Sequence, residues 1–101
     1  MNDIETGRCI EKRSKYRYVY INELSDAVLF GVIDWLKKHT GIDFKKDAEY
    51  NGINELISNE YILFLEDDCY LIIIDDNGYY KFEVYNYNDF NRLFDKERYA
   101  E

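Results

Sequence analysis

The 101 residues are 47% apolar, 34% charged and 18% aromatic, enough for one small, aromatic-rich core and too short for two. Twenty-one acidic residues against 13 basic ones leave a net charge of −8, which disfavours tracking a nucleic-acid backbone through counterion release. No run of about 18 apolar residues is present and the N-terminus has no apolar signal core, so the expectation is a cytoplasmic protein without a membrane span.

Residues 1–15 carry no hydrophobic period and five of the chain's basic side chains lie within residues 1–22, which suggests a loosely held, flexible basic arm. From Tyr16 to Ile21 the run YRYVYI reads as a strand, with Tyr16, Tyr18 and Tyr20 on one face and Arg17, Val19 and Ile21 on the other. Asn22 or Ser25 can cap a long helix over residues 23–39, which closes on Lys37, Lys38, His39 and a left-handed Gly41. Leu24, Val28, Val32, Trp35 and Leu36 form its apolar stripe, and Phe30 falls outside it. A short helical turn is expected over Gly52 to Ser58, where Ile53, Leu56 and Ile57 share a helical face.

From residue 60 the period becomes two. YILFL, CYLIIID and YYKFEVYNY, split by Glu66-Asp67-Asp68 and by Asn77-Gly78, predict a three-stranded antiparallel meander over about 60–87. Closing the hairpins pairs Leu65 with Tyr70, Phe64 with Leu71 and Ile62 with Ile73, then Asp76 with Tyr79, Ile73 with Phe82 and Leu71 with Val84. Ile62, Phe64, Leu71, Ile73, Phe82 and Val84 then form the face that meets the long helix. The opposite face, with Tyr61, Leu63, Leu65, Tyr70, Ile72, Ile74, Lys81, Glu83 and Tyr85, is too apolar to be fully solvated. Its cover is either the chain's own arm or the strand at 16–21, or else another protein. Asn88 predicts the cap of a final helix over Asp89 to Tyr99, packed beside the long one. The expected fold class is α+β: a single domain over residues 1–101, with the meander on the long helix, a C-terminal helix and an extra N-terminal strand.

Catalytic and metal chemistry find few residues to work with. Cys9, Cys69 and His39 cannot build a four-ligand zinc site within one chain, and the cysteines are expected as free thiols. The five glycines are scattered singly, which excludes a phosphate-cradling loop. Asp75 and Glu83 begin a nuclease-like carboxylate pattern, but Tyr85 stands where its lysine should be. The clusters Glu66-Asp67-Asp68 and Asp75-Asp76 lack the spacing of a calcium loop. No nucleophile, base and orienting group can be named, so the expectation is a binding protein without enzymatic activity, cofactor or metal.

Charge is unevenly spread: residues 47–101 hold fourteen acidic and four basic residues, a net −10. One reading is solubility alone. The sharper one is a surface of Glu66, Asp67, Asp68, Asp75, Asp76 and Glu83, with Tyr70 and Tyr85 as aromatic anchors, that binds a basic protein in place of phosphates. Ile, Asn, Tyr, Lys and Phe make up 45 of the 101 residues and Pro is absent, the bias of an AT-rich coding sequence. In size, acidity and this bias, though in no motif, the chain resembles small acidic phage inhibitors of the anti-CRISPR and anti-restriction type. That resemblance implies a nucleic-acid mimic, phage or mobile-element encoded, which blocks a basic nucleic-acid-handling defence protein. An immunity protein that neutralises a basic toxin is the alternative, and a homo-oligomer built through the Tyr61/Ile72/Tyr85 face is compatible with either.

Overall fold

A computed structural model describes residues 4–11, 14–76 and 78–96. Among these residues, eight strands and two helices follow in the order β1 (Ile4–Glu11), β2 (Ser14–Ile21), α1 (Asp26–Thr40), β3 (Lys45–Tyr50), β4 (Ile53–Ile57), β5 (Ile62–Leu65), β6 (Cys69–Asp76), β7 (Tyr79–Asn86), α2 (Tyr87–Leu93) and β8 (Asp95–Lys96). The class is α+β with two antiparallel sheets. One runs β7-β6-β2-β1 with the two-residue β8 at its edge, and the other runs β3-β4-β5.

α1 forms where its signals lie. Ser25 is the cap, its Oγ accepting from the Val28 amide at 3.1 Å, and Gly41 ends the helix at φ 74° with its amide bonded to the Lys37 carbonyl. The buried stripe is Val28, Leu29, Val32, Trp35 and Leu36, while Phe30 is 63% exposed. These side chains meet Val19, Ile21, Leu71 and Ile73 from the larger sheet and Phe44, Leu56, Leu63 and Leu65 from the smaller side. The main core is therefore a helix enclosed by two sheets.

The strand at residues 16–21 is present as β2, and it overturns the meander. It takes the edge of β6 that the sequence reading assigned to β5, pairing Val19 with Leu71, Tyr20 with Tyr70 and Arg17 with Ile73. β5 instead pairs with β4, so the expected pairs Leu65–Tyr70, Phe64–Leu71 and Ile62–Ile73 do not form. The β6–β7 hairpin keeps the expected register, Asp76 to Tyr79, Ile73 to Phe82 and Leu71 to Val84. Moving β5 to the other sheet reverses which of its residues face inward: Leu63 and Leu65 are buried, while Ile62 and Phe64 are 60% and 50% exposed. Of the expected core face, Leu71 and Ile73 are buried, Phe82 is half-buried and Val84 is exposed.

Two further expectations fail for local reasons. Gly52 to Ser58 is not a helical turn, because Asn51 and Gly52 adopt φ 53° and φ 77° and close a β3–β4 hairpin. Two successive positive φ values suit an Asn-Gly pair and no ordinary pair of residues. Ile4–Glu11, within the stretch read as an arm, forms β1 against β2; its backbone pairing needs no apolar period. Residues 1–3 and 12–13 of that stretch lie outside the described residues.

The second face of β6 is covered over Tyr70 and Ile72 by α2, not by the arm or β2. Asn86, rather than Asn88, caps this helix, accepting from the Asp89 amide at 2.8 Å. The helix stops at Leu93, after which Asp95–Lys96 pair with β1; residues 97–99 of the expected longer helix lie outside the described residues. Rather than packing beside α1, α2 lays Phe90 and Phe94 on Tyr18, Tyr70 and Ile72. Phe90 stacks on Tyr70 at 3.7 Å between ring centroids. Ile72 is thereby fully buried, and Tyr61 turns to the opposite side against Phe44 and Phe82, so Tyr61, Ile72 and Tyr85 do not make one exposed face.

Phe90 is fully buried, so Phe90→Ala should lower the unfolding free energy by about 3–5 kcal/mol. Phe30→Ser should stay within about 0.5 kcal/mol of the parent in urea denaturation.

Candidate functional site

The link Glu66-Asp67-Asp68 does not close a hairpin. It carries the chain from one sheet to the other, with Asp68 in the left-handed region at φ 59°. Around it three elements are fastened. The Asp67 Oδ1 accepts from the Leu24 amide at 2.7 Å just before α1. The Asp68 amide donates to the Asn22 carbonyl at 3.0 Å, and its carbonyl accepts from the Tyr87 amide at 3.1 Å at the start of α2. The Asp68 carboxylate also accepts a hydrogen bond from the Tyr20 hydroxyl. That bond, with burial and the charge of Asp68, raises the Tyr20 pKa above its ordinary value.

Two acidic residues that sequence reading missed join this link. A cleft of about 320 Å³ is lined by Asp67, Asp26 at the start of α1, Glu49 on β3, and Asn54 and Gly52 of the adjoining hairpin. Lys46 is the base among them, its Nζ 3.1 Å from Asp26 and 3.4 Å from Glu49. Exposed pairs of this kind stabilise little, so the surplus of carboxylate charge remains available to solvent. The signal that could have placed Glu49 here was Asn51-Gly52: a hairpin closed on that pair sets Glu49 opposite Asn54. On the outer face of the same sheet, a hydrogen bond with Asp47, then burial and the Asp47 charge, raise the Glu55 carboxyl pKa. Among the described residues no three His, Cys, Asp or Glu side chains converge as metal ligands, and no helix is long and apolar enough to cross a membrane.

The sequence-predicted contact residues divide. Glu66, Asp67 and Asp68 stand together at one end of β6. Asp75 and Asp76 lie at the other, about 23 Å away for a strand rising about 3.3 Å per residue. There the Asp75 Oδ1 accepts from the Gly78 amide at 3.0 Å, and Asp75 shares a small cleft with Arg17 and His39, so charge at that end is mixed. Burial, Arg17 and Lys38 lower the His39 pKa. Tyr70 is fully buried beneath Phe90 and cannot anchor a partner. Tyr85 is half-buried against Phe94 and donates to the exposed Glu83 at 2.9 Å, on the α2 side of the sheet. Compared with known proteins, the chain matches no family model, no curated protein and no solved structure.

Cys69, directly after the acidic link, is a buried free thiol whose pKa burial pushes up to about 11. In a Cys9→Ser variant, labelling at about pH 8 should therefore be slow and accelerate only in denaturant; labelling as fast as a free thiol would contradict this burial. For Tyr20 the folded pKa lies above the unfolded one, so its contribution to stability is full below about pH 10 and fades as pH rises further. The gap in urea midpoint between the parent and Asp68→Asn should hold up to about pH 10 and narrow as pH rises above it.

Proposed function

We propose that this chain is a small acidic binding protein that inhibits a basic, nucleic-acid-handling protein by occupying the groups that would otherwise hold phosphates. The observation that carries the reading is the gathering of Asp67, Asp26 and Glu49 from three separate segments around one cleft, with Glu66 and Asp68 on either side of Asp67 in the chain and Lys46 among them. A carboxylate accepts two hydrogen bonds from a guanidinium fork much as a phosphate does. A field of one sign over a net charge of −8 also speeds encounter with a basic groove. This placement favours the Glu66–Asp68 end over Asp75 and Asp76, whose neighbour Arg17 weakens the local field.

The test is affinity capture from a host lysate at about 50 mM and about 500 mM salt, with bound proteins identified by mass spectrometry. A nuclease, polymerase or defence effector retained at low salt and released at high salt is the expected result. Glu66→Gln/Asp67→Asn/Asp68→Asn should abolish that capture, whereas Asp75→Asn/Asp76→Asn should leave most of it. Asn at position 67 still offers an oxygen to the Leu24 amide, which limits structural side effects. Capture indifferent to both salt and the triple substitution would sink the reading, and retention of a toxin would redirect it to immunity.

A further inference from the structure

The acidic cleft holds one buried polar atom that the fold itself does not satisfy. β3 and β4 set Glu49 directly opposite Asn54, and the alternation along β4 turns Asn54, like Leu56, toward the inner face that meets the start of α1. Asn54 is 4% exposed and lines the cleft, and its Oδ1 is buried without a hydrogen-bond partner. A buried acceptor left alone costs free energy, which points to a ligand that brings a donor to it. Around Asn54 stand Asp26 from the first turn of α1, Glu49 from β3 and Asp67 from the link, three carboxylates delivered by three segments.

The group that fits is cationic and broad. Three carboxylates oppose an anion, and the positive end of α1 is already met by Asp26 and by the Asp67 Oδ1 on the Leu24 amide. A calcium or magnesium ion needs its oxygens drawn to one point about 2.0–2.6 Å away, and among the described residues these carboxylates do not converge on such a point. A guanidinium spreads five N–H donors over a planar fork, so it can bond acceptors that stand apart. The Lys46 Nζ, 3.1 Å from Asp26 and 3.4 Å from Glu49, shows that these carboxylates gather cationic nitrogen, yet it makes no bond to the Asn54 Oδ1. Leu24 and Leu29 give the cleft an apolar wall suited to the methylene stem that carries a guanidinium.

We propose that this cleft binds a guanidinium group, with the Asn54 Oδ1 accepting from one of its N–H donors and Asp67 and Glu49 accepting from others. Resting on the function proposed above, an arginine side chain of the basic partner supplies it. Asn54 gives the cleft a selectivity that acidity alone lacks. A lysine ammonium is a compact point charge that satisfies the exposed carboxylates without spanning the set.

The probes are N-acetylarginine amide, N-acetyllysine amide and calcium chloride, each titrated into the full chain at about 20 mM salt and followed by amide chemical shifts that include the Asn54 side-chain amide. The arginine probe should shift that side-chain amide together with residues 24–26, 49 and 67, and the lysine probe should bind several-fold more weakly. Asn54→Leu changes no charge and replaces an unpartnered oxygen by carbon, so it should weaken the arginine probe about tenfold or more while the urea midpoint stays at or above that of the parent. Glu49→Gln, at an exposed side chain, should weaken it as well, in a chain whose folding the same spectrum reports. Equal arginine affinity in the parent and both variants, an Asn54 side chain that no probe moves because only solvent reaches it, or calcium reproducing the arginine shifts would each overturn the site. Lysate capture separates the site from the function. Capture lost on Asn54→Leu places the guanidinium on the partner, whereas capture lost on Glu66→Gln/Asp67→Asn/Asp68→Asn but kept on Asn54→Leu removes the partner's arginine from the cleft and leaves the acidic function standing. Arginine binding in a chain that captures nothing counts against the function and keeps the site for a free small guanidinium.

Discussion

Five consecutive residues of β6, Cys69 to Ile73, are buried, and a strand can hide two opposite faces only if each has its own cover. α1 and the three-stranded sheet close over Cys69, Leu71 and Ile73, while α2 closes over Tyr70 and Ile72. β2 and β7 flank β6 and extend both surfaces. The aromatic layer on the α2 side depends on ring packing: Tyr18, Tyr70, Phe90 and Phe94 form successive contacts at 5.4 to 3.7 Å between Tyr18, Phe90 and Tyr70, and 5.1 Å between Phe90 and Phe94. A helix of seven residues has little stability of its own, so α2 persists because that layer holds it.

The elements whose signals are local were legible in the sequence. Ser25 and Gly41 bracket α1, Asn77-Gly78 sets the β6–β7 register, and the alternation of YRYVYI places the tyrosines and the aliphatic residues of β2 on opposite faces. What could not be read was which strand lies beside which. β2 and β5 both offer an apolar alternation that fits β6, and no rule of period or turn chooses between a neighbour in sequence and one brought from far away. Asn51-Gly52 is a hairpin signal that the helical spacing of Ile53, Leu56 and Ile57 masks; as a strand the same stretch turns Leu56 inward and Ile53 and Ile57 outward. The same ambiguity governed the candidate site. Glu66, Asp67 and Asp68 were found from composition, but Asp26 and Glu49 join them only through the tertiary fold, and Tyr70 left the surface once α2 covered it.

The acidic link has two roles that pull on the same atoms. Asp67 and Asp68 are proposed to face a partner, yet their oxygens also hold the Leu24 amide and the Tyr20 hydroxyl. A carboxylate has lone pairs for both, so an internal hydrogen bond fixes its direction without using all of its acceptor capacity. Preset direction lowers the ordering cost of association, which is where a small surface of few contacts gains most.

The pairing of β2 with β6 also sets how the chain reaches this structure. Tyr20 and Asp68 are 48 residues apart, whereas β1–β2, β3–β4 and β6–β7 are each joined by short connections. Hairpins of that kind close on their own within microseconds, but the central seam of the larger sheet must wait for two of them to meet across α1 and the smaller sheet. That seam is thus far costlier in chain entropy to close than the hairpins beside it, and until it closes the long edges of β2 and β6 stand open to any other chain nearby.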